Sequence, residues 1–244
     1  MRKRFVVLVL SILQVLVVQS VLAEELKLAV SLTLPPFVFS DIDSGIDLEI
    51  VKEALASKGY SVRPVYVVYG RTAADLNAGK VDGALTVNKE RGLDNVYLSD
   101  QYICYQNVAV SLKSKGYQIT KVKDLADKKI IAFQDAAKIL GSDFAEAAKS
   151  SPSYYEIPDQ ENQVALLFKN RADVIVMDIN IFKYYQQNTK RADTRPAVDI
   201  VTLFPASCFS VGFTSEKVRD DFNEGLKELR GSGRYDEIFK KYIK

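Results

Sequence analysis

Hydrophobic residues along this chain fall into short strand-like runs separated by helix-like stretches. Leu26–Leu32 and Val81–Val87 are compact apolar runs bounded by turn residues, which predicts buried strands. Between them, Ile46–Lys58 carries apolar residues at helical spacing, and Gly59 follows as its C-cap. Strands that alternate with helices in this way favour βαβ units, in which neighbouring strands run parallel.

The same alternation continues to the end of the chain and predicts an α/β layer fold. The further predicted strands are Ser61–Val68, Asn107–Leu112, Lys129–Phe133, Tyr154–Ile157, Asp173–Met177 and Phe209–Thr214. The further predicted helices are Thr72–Ala78, Val122–Leu125, Lys138–Lys149, Gln160–Phe168, Ile179–Gln187, Val218–Leu229 and Tyr235–Tyr242. The polar stretch Asn188–Pro196 predicts a loop.

One phrase occurs twice, as Leu76–Thr86 and as Leu167–Asp178. In both copies a leucine ends a helix-like stretch, a Gly or Asn suited to a left-handed C-cap follows, and an aspartate precedes an apolar strand. We expect these aspartates, Asp82 and Asp173, to be structural and to close the turn before the strand. A helix-to-strand unit repeated far apart predicts two similar lobes, with a ligand-binding cleft between them.

The lobe boundaries follow from the lack of a linker-like segment. Two lobes without a linker need short crossover strands, and Asn107–Leu112 and Phe209–Thr214 are the candidates. We therefore expect a first lobe of residues 24–107 plus 213–244 and a second lobe of residues 108–212.

The N-terminus has the pattern of a secretory signal peptide. Met1–Arg4 is basic, Phe5–Val18 is apolar, and Val21–Ala23 is similar to a cleavage site. An uncleaved anchor is the alternative, but the apolar run is shorter than the roughly 20 residues that a spanning helix needs. No cysteine follows the cleavage site and no later stretch could span a membrane. We expect a chain cleaved after residue 23 and exported to the periplasm without a lipid anchor.

Composition narrows the function classes. Without residues 1–23 the chain holds 30 Lys and Arg against 31 Asp and Glu, which is no signature of nucleic-acid or membrane-surface binding. There is no histidine, so a zinc or other transition-metal site is not expected, and no cofactor is implied. No catalytic motif is present either, and the chain is not expected to be an enzyme.

The two cysteines, Cys104 and Cys208, each begin an apolar strand-like run. In an oxidising compartment they could form a disulfide if the two runs lie side by side. Two buried free thiols are the alternative, because the sequence does not give the separation that a bridge requires.

Candidate binding residues follow the strands of the first half. Phe37, Tyr69 and Thr86 lie at or beyond the carboxyl ends of successive strands, and Arg91 lies in the next loop. Ligands of open α/β sheets bind beyond these ends, so the four residues converge. The arginine suits a carboxylate and the two aromatic rings supply apolar walls. An ion pair or loop brace remains open for Arg91, and a core position for Phe37 and Tyr69.

Asp178 is the candidate in the second half. It ends the apolar run Val174–Met177 and precedes a predicted helix. A carboxylate in such surroundings suits an ammonium group. The alternative is that Asp178 caps the helix, a common position for aspartate.

Short phrases occur in a fixed order along nearly all of residues 24–244. They are Pro35-Pro36-Phe37, Gly45-Ile46-Asp47-Leu48, Leu76 with Gly79 and Asp82, Thr86 with Glu90-Arg91, Leu98-Ser99 with Tyr102, Lys123-Asp124-Leu125, Ala172-Asp173 with Asp178, and Phe222 through Leu226, Gly231 and Gly233 to Ile238 and Tyr242. With these phrases the chain resembles the periplasmic solute-binding proteins of the polar amino acid ABC-transporter type. The resemblance implies the two-lobe, type II periplasmic-binding-protein-like fold, in which mostly parallel sheets close over a ligand.

The resemblance also implies roles for the candidate residues. Phe37 and Tyr69 would pack against an amino acid, Arg91 and the Thr86 hydroxyl would hold its α-carboxylate, and Asp178 its α-ammonium. The implied partner is the permease of an ABC importer, with the binding protein a monomer.

Two segments depart from the family pattern. Before the arginine, where the family usually offers a small residue and a Ser or Thr, the run is Ala84-Leu85-Thr86-Val87-Asn88. Residues 133–137 replace a Gly-Ser/Thr loop with one that contains Asp135, which would repel a carboxylate. Three alternatives stay open: a ligand-sensing module that feeds a separate membrane sensor, a dehydratase-like enzyme on the same fold, and a family member without a ligand.

Overall fold

The computed structural model describes residues 23–68, 71–89 and 92–243. Apart from Ala23, the predicted signal peptide lies outside the described residues. The strands are β1 (Glu24–Ser31), β2 (Tyr60–Val67), β3 (Gly83–Val87), β4 (Tyr97–Leu98), β5 (Ile103–Tyr105), β6 (Asn107–Leu112), β7 (Lys129–Ala132), β8 (Ser153–Glu156), β9 (Val174–Asp178), β10 (Val198–Val201) and β11 (Ser207–Phe213).

Eight α-helices connect these strands in the part of the chain that the structure describes. They are α1 (Ile46–Ala56), α2 (Arg71–Asn77), α3 (Ala136–Ile139), α4 (Ser142–Ser150), α5 (Gln160–Phe168), α6 (Ile179–Asn188), α7 (Glu216–Gly231) and α8 (Arg234–Tyr242). Short 3₁₀ turns form at Lys113–Lys115 and Val122–Leu125. No helix among the described residues is long and apolar enough to cross a membrane.

The strands form two separate sheets, and the predicted two-sheet α/β class is confirmed, although both sheets are mixed and not mostly parallel because β11 and β6 pair antiparallel with their neighbours. The first sheet has the order β2-β1-β3-β11-β4, with β5 also paired to β11. In it β1 is parallel to β2 and β3, while β11 is antiparallel to β3, β4 and β5. The second sheet has the order β10-β6-β9-β7-β8, with β7 parallel to β8 and β9 and with β6 antiparallel to β9 and β10.

The chain passes between the sheets twice. It leaves the first sheet at the end of β5 and enters the second at β6, with Gln106 as the single residue between them. It returns between β10 and β11. Strand β11 pairs with the first sheet from Ser207 onward, so the return precedes residue 207, whereas the sequence predicts it near residue 212.

The repeated phrase makes the same contact in both sheets. Asp82 donates its backbone N–H to the Lys27 carbonyl and accepts the Lys27 N–H on its carboxylate, both at 2.8 Å. Asp173 makes the same two bonds with Lys129, both at 2.9 Å. Each aspartate joins the start of its strand to the neighbouring parallel strand. The prediction that both residues are structural is confirmed.

Two features of the second lobe correct the sequence analysis. The predicted single helix Lys138–Lys149 is wrong, because the segment forms α3 and α4 with a break at Leu140 and Gly141. Gly141 has φ of 90°, a conformation that an α-helix does not contain and that glycine adopts at low cost. Strand β10 follows the predicted polar loop directly and is absent from the prediction.

Candidate functional site

The turn after β1 carries Phe37 into the interior beside the first crossover. Its side chain is fully buried, and its ring centroid lies 4.3 Å from that of Tyr105 at the end of β5. Tyr105 in turn contacts Phe209 of β11 edge-on, with the centroids 5.6 Å apart. In this structure Phe37 is therefore a core residue that supports the crossover, and a role as ligand wall remains a prediction.

A buried carboxyl group lies beneath these rings. Asp47, in the first turn of α1, is 1% exposed, and its Oδ2 accepts hydrogen bonds from the Tyr105 hydroxyl at 3.0 Å and from the Thr86 hydroxyl at 3.2 Å. Burial raises the pKa of Asp47 to about 7 against these hydrogen bonds, and the charge of Asp178 raises it further. Its Oδ1 has no partner among the described residues.

Thr86 faces this carboxyl group instead of open solvent. It is the penultimate residue of β3 and has φ of 57°, an uncommon conformation for a β-branched residue. Its Oγ1 lies 3.2 Å from both Asp47 Oδ2 and the hydroxyl of Tyr102. The conformation of Thr86 thus directs its hydroxyl at groups of the first lobe.

Asp178 ends β9 and caps α6. Its Oδ1 accepts the backbone N–H groups of Asn180 at 2.8 Å and Ile181 at 3.1 Å, and its Oδ2 accepts the N–H of Gln106 at 2.8 Å. Burial raises the pKa of Asp178 to about 6, although the three N–H groups lower it. The capping alternative is confirmed by these bonds, and the ammonium-binding role stays a prediction.

Tyr69 and Arg91 lie outside the described residues. The predicted carboxylate-binding arginine and the second aromatic wall are therefore known only from the sequence. Of the five predicted ligand-binding residues, the structure describes Phe37, Thr86 and Asp178. All three lie around the first crossover, where Tyr105 and Gln106 contact them directly or through Asp47.

An aromatic contact joins the two lobes. The ring of Phe39, in the turn after β1, lies edge-on to Tyr184 of α6 and stacks on Tyr242 of α8, each with centroids 5.7 Å apart. Burial raises the pKa of Tyr184, and the charges of Glu161 and Asp41 raise it further. Glu161 shares the guanidinium of Arg191 with Asp159, at 3.1 and 2.6 Å, so negative charge near this contact comes from these two carboxylates as well as from Asp41.

Sequence reasoning missed Asp47 and Tyr105 beside the first crossover and Tyr184 at the contact between the lobes. Asp47 belongs to the Gly45-Ile46-Asp47 phrase, and a carboxylate in an otherwise apolar helix face was a usable signal. Tyr105 and Tyr184 carry no local signal, because their positions depend on strand pairing and on how the lobes meet.

The backbone N–H groups of the loop after β7 are not free to bind an anion, because a carboxylate of the protein already accepts them. The N–H groups of Asp135 and Ala137 donate to the carboxylate of Glu156 at 2.8 and 2.9 Å, and the Tyr154 hydroxyl adds a bond of 2.6 Å. These donors outweigh burial, which acts in the opposite direction, so the pKa of Glu156 lies below its ordinary value. The backbone amides that begin α3 are thus already bound to a carboxylate of the same lobe.

The two cysteines are joined in a disulfide. Cys104 of β5 and Cys208 of β11 are direct partners in the antiparallel pairing, with Cα atoms 4.0 Å apart. Among the described residues, no group of three or more His, Cys, Asp or Glu side chains is arranged to hold a metal ion.

The protein has two lobes, each a sheet flanked by helices, which two short crossovers connect. Aromatic and acidic side chains lie around the first crossover and where the lobes meet, and this arrangement is that of a two-lobe small-solute-binding protein. The family of bacterial extracellular solute-binding proteins, family 3, matches residues 26–244. The chain belongs to this family, and the family predicted from the sequence phrases is confirmed.

Similar proteins include two curated relatives and a solved structure. The chain is 25% identical to the "Probable histidine-binding protein" of Campylobacter jejuni, over 89% of this chain and 84% of that protein. It is 26% identical to the "Arginine-binding extracellular protein ArtP" of Bacillus subtilis, over 90% and 86% of the two chains. The GluR0 ligand-binding core in complex with L-glutamate has the same fold, with a TM-score of 0.73 at 16% identity over 91% and 99% of the chains.

Proposed function

We propose that this protein is exported to the periplasm, captures an amino acid between its two lobes and delivers it to the permease of an ABC importer. Its membership of an extracellular solute-binding family supports this function, as do relatives named for histidine and arginine binding. A cleaved signal peptide in residues 1–23 and a monomeric state belong to the same proposal. Binding without turnover is the proposed activity.

The observation that carries the proposal is the negative charge on both sides of the cleft. Asp178 is buried at the carboxyl end of a second-lobe strand, and Asp41 lies near the Phe39–Tyr184 contact from the first lobe. No ion pair among the described residues includes Asp41. Carboxylates beside aromatic faces favour a cation. Because Asp178 is assigned to the α-ammonium group, Asp41 beside the Phe39–Tyr184 rings is the group that favours a positively charged ligand side chain, and the relatives named for histidine and arginine binding support the same preference.

Each candidate residue has a proposed part in this site. Arg91 holds the α-carboxylate of the ligand and Asp178 the α-ammonium, while Phe37 and Tyr69 supply apolar contacts. The Thr86 hydroxyl has one proton, which it donates to Asp47, so it cannot donate to the ligand while this bond is kept. Thr86 is thus assigned to positioning of the strand end.

The proposed lobes follow the strand pairings. The second lobe comprises residues 107–204, because Phe204 packs on Phe144 of α4 with ring centroids 5.5 Å apart. The first lobe comprises the described residues before 106 and from 207 onward. A ligand that contacts both lobes only when they are closed shifts the population toward the closed form, in proportion to its differential affinity. The importer would recognise that form.

A thermal-shift screen followed by calorimetry tests the function. The purified protein is screened with arginine, lysine, histidine, glutamine and glutamate at millimolar concentration. A micromolar ligand at that concentration adds about 4 kcal/mol to the free energy of unfolding. We expect the largest shift with a cationic amino acid. No shift with any of them would contradict the proposal, and turnover of the ligand would favour the enzyme alternative.

Matched variants test the site. Asp178→Asn removes the charge while keeping an N-cap residue, and we expect affinity to fall by at least about 30-fold. Asp159→Asn is its control, because Asp159 caps α5 through Asn162 and has no proposed ligand role. Arg91→Ala should abolish binding, whereas Arg63→Ala, at an exposed arginine of β2, should not. Equal effects of a variant and its control would refute the assigned role.

A further inference from the structure

Three consecutive residues of the first crossover are each fixed to a different part of the molecule. Cys104 is bonded to Cys208 of β11. The Tyr105 hydroxyl binds Asp47 of α1. The Gln106 N–H binds Asp178 of the second lobe. The first crossover is therefore held by a covalent bond at Cys104, by a partly buried hydrogen bond at Tyr105 and by a charge-assisted hydrogen bond at Gln106.

The disulfide has a special place in the topology. It joins the strand that leads into the second sheet, β5, to the strand that leads out of it, β11. The sequence separation of the two cysteines is 104 residues, and all five strands of the second sheet lie between them. The disulfide therefore links the two crossovers to each other at their first-lobe ends, where β5 precedes the first crossover and β11 follows the second.

Tyr105, next to the disulfide in sequence, contacts the candidate site residue Phe37 and the buried Asp47. Its ring packs on Phe37 at 4.3 Å and on Phe209 at 5.6 Å. Its hydroxyl shares Asp47 Oδ2 with the Thr86 hydroxyl. A shift of β5 relative to β11 would therefore move the supports of both Phe37 and the end of β3.

We propose that the Cys104–Cys208 disulfide and Tyr105 are positioning elements that hold the first crossover against the first lobe and thereby set ligand affinity. The affinity part rests on the proposed function. With the disulfide reduced, the crossover samples more positions, and the closed lobe arrangement loses preorganisation. Affinity then falls while the ligand-contacting side chains stay unchanged.

The disulfide is open to chemical control. Cys104 is exposed and Cys208 is half-buried. A dithiol such as dithiothreitol cleaves the sulfur–sulfur bond by thiolate attack through a mixed disulfide. The two cysteines gain two electrons and two protons, and the dithiol becomes a cyclic disulfide.

The test has a readout that does not need the ligand. Hydrogen exchange of the Tyr102 and Gln106 amides is measured in the oxidised protein, the dithiothreitol-reduced protein and the Cys104→Ser/Cys208→Ser variant. In the oxidised protein the Tyr102 amide donates to the Phe209 carbonyl of β11 at 2.9 Å and the Gln106 amide to Asp178 at 2.8 Å, so the two amides report on the two ends of the crossover. We expect exchange to be at least about ten-fold faster without the disulfide, beyond the acceleration that the lost global stability causes in amides of the α1 interior. Equal exchange would overturn the proposal.

The second readout is affinity for the amino acid that binds the oxidised protein most tightly. We expect about ten-fold weaker binding without the disulfide. Faster exchange with unchanged affinity would overturn the affinity claim. If no amino acid binds the oxidised protein, the proposed function fails by itself, and exchange alone decides whether the crossover is positioned by the disulfide.

A hydroxyl deletion keeps the test informative if the reduced protein unfolds. Tyr105→Phe retains the ring on Phe37 and the disulfide but removes the bond to Asp47. Tyr117→Phe is the control, because it removes a similar Tyr–Asp bond of 2.8 Å to Asp173 within the second lobe. We expect faster Gln106 exchange and weaker binding only in Tyr105→Phe. The same result in both variants would indicate general destabilisation and refute a positioning role.

Discussion

The Tyr105 hydroxyl donates a 3.0 Å hydrogen bond to Oδ2 of Asp47, although 58 residues separate the two along the chain. This bond connects the first crossover to the first turn of α1. The carboxyl group that accepts it is almost completely removed from solvent. Burial disfavours the ionised form, and one of its oxygens has no partner among the described residues, so the pKa of this carboxyl group is raised and the proton is retained to unusually high pH.

Stability is expected to fall as pH rises through the range in which Asp47 ionises. The pKa of Asp47 is raised from 3.8 to about 7, so the folded protein binds more protons than the unfolded chain between these values. The free energy of unfolding therefore decreases with increasing pH across this window, by about 4 kcal/mol at most. Urea denaturation at several pH values from 4 to 8 measures the slope.

Asp47→Asn should mimic the protonated carboxyl group. It should lose most of this slope and be more stable than the natural protein at pH 8. A smaller slope should remain, because burial also raises the pKa of Asp178, to about 6. Asp143→Asn, at an exposed residue of α4, is the control for a generic Asp-to-Asn effect. A natural protein whose stability rises from pH 4 to 7 would contradict this assignment.

Loss of the disulfide is expected to lower stability as well as to loosen the crossover. Cross-linking of a loop of about 100 residues lowers the entropy of the unfolded chain, by about 4.7 kcal/mol in the chain-entropy account. The Cys104–Cys208 loop is of this size. The Cys104→Ser/Cys208→Ser variant should lose about 2–5 kcal/mol in urea denaturation. The natural protein in dithiothreitol should match it, and a loss below 1 kcal/mol in both would disprove the estimate.

The sequence predicts an element well where its apolar pattern is long or where polar or turn residues mark its ends. Asn107–Leu112 and Gln160–Phe168 have the predicted bounds, because each has a clear apolar pattern with a polar or turn residue at its ends. Strand β5, by contrast, has three residues and lies between two other short segments. A three-residue strand gives no alternation to recognise, and only its pairing with β11 defines it.

The candidate site was predictable only in part, for a related reason. Asp178 ends an apolar strand, so its position at the carboxyl end of that strand follows from the local pattern. Its bond to Gln106 instead depends on the antiparallel pairing of β6 with β9, which places Asn107 opposite Asp178. The bond of Asp47 to Tyr105 likewise forms between two separate elements of the first lobe, and no periodicity in either segment indicates it.

The repeated aspartates provide a test of the two-lobe repeat. Asp82→Ala and Asp173→Ala each remove a carboxylate that accepts the N–H of a neighbouring strand, and each should cost about 1 kcal/mol. Asp173→Ala should cost more, because it also removes the acceptor of the Tyr117 hydroxyl. Denaturation of Asp173→Ala, Tyr117→Phe and the double variant measures this difference. These variants form a double-mutant cycle. If the losses in the free energy of unfolding of the two single variants add up fully in the double variant, a direct bond between the two side chains is contradicted.

Helix α7 lies so close to α1 that one position admits no side chain. A Cβ added to Gly225 would lie 2.0 Å from the Ala54 carbonyl oxygen and 2.8 Å from its carbon, both of them backbone atoms. Relief of this clash requires the two helices to separate, which would open the core beneath Phe222 and Leu226. Gly225→Ala should therefore lower the free energy of unfolding by about 3 kcal/mol or more, although alanine favours helices.

Gly231→Ala is the matched control, because a Cβ there meets nothing within 4 Å and alanine should stabilise the helix end by about 0.5–1 kcal/mol. Urea denaturation of both variants measures the contrast, and a neutral Gly225→Ala would mean that α1 and α7 are not in backbone contact.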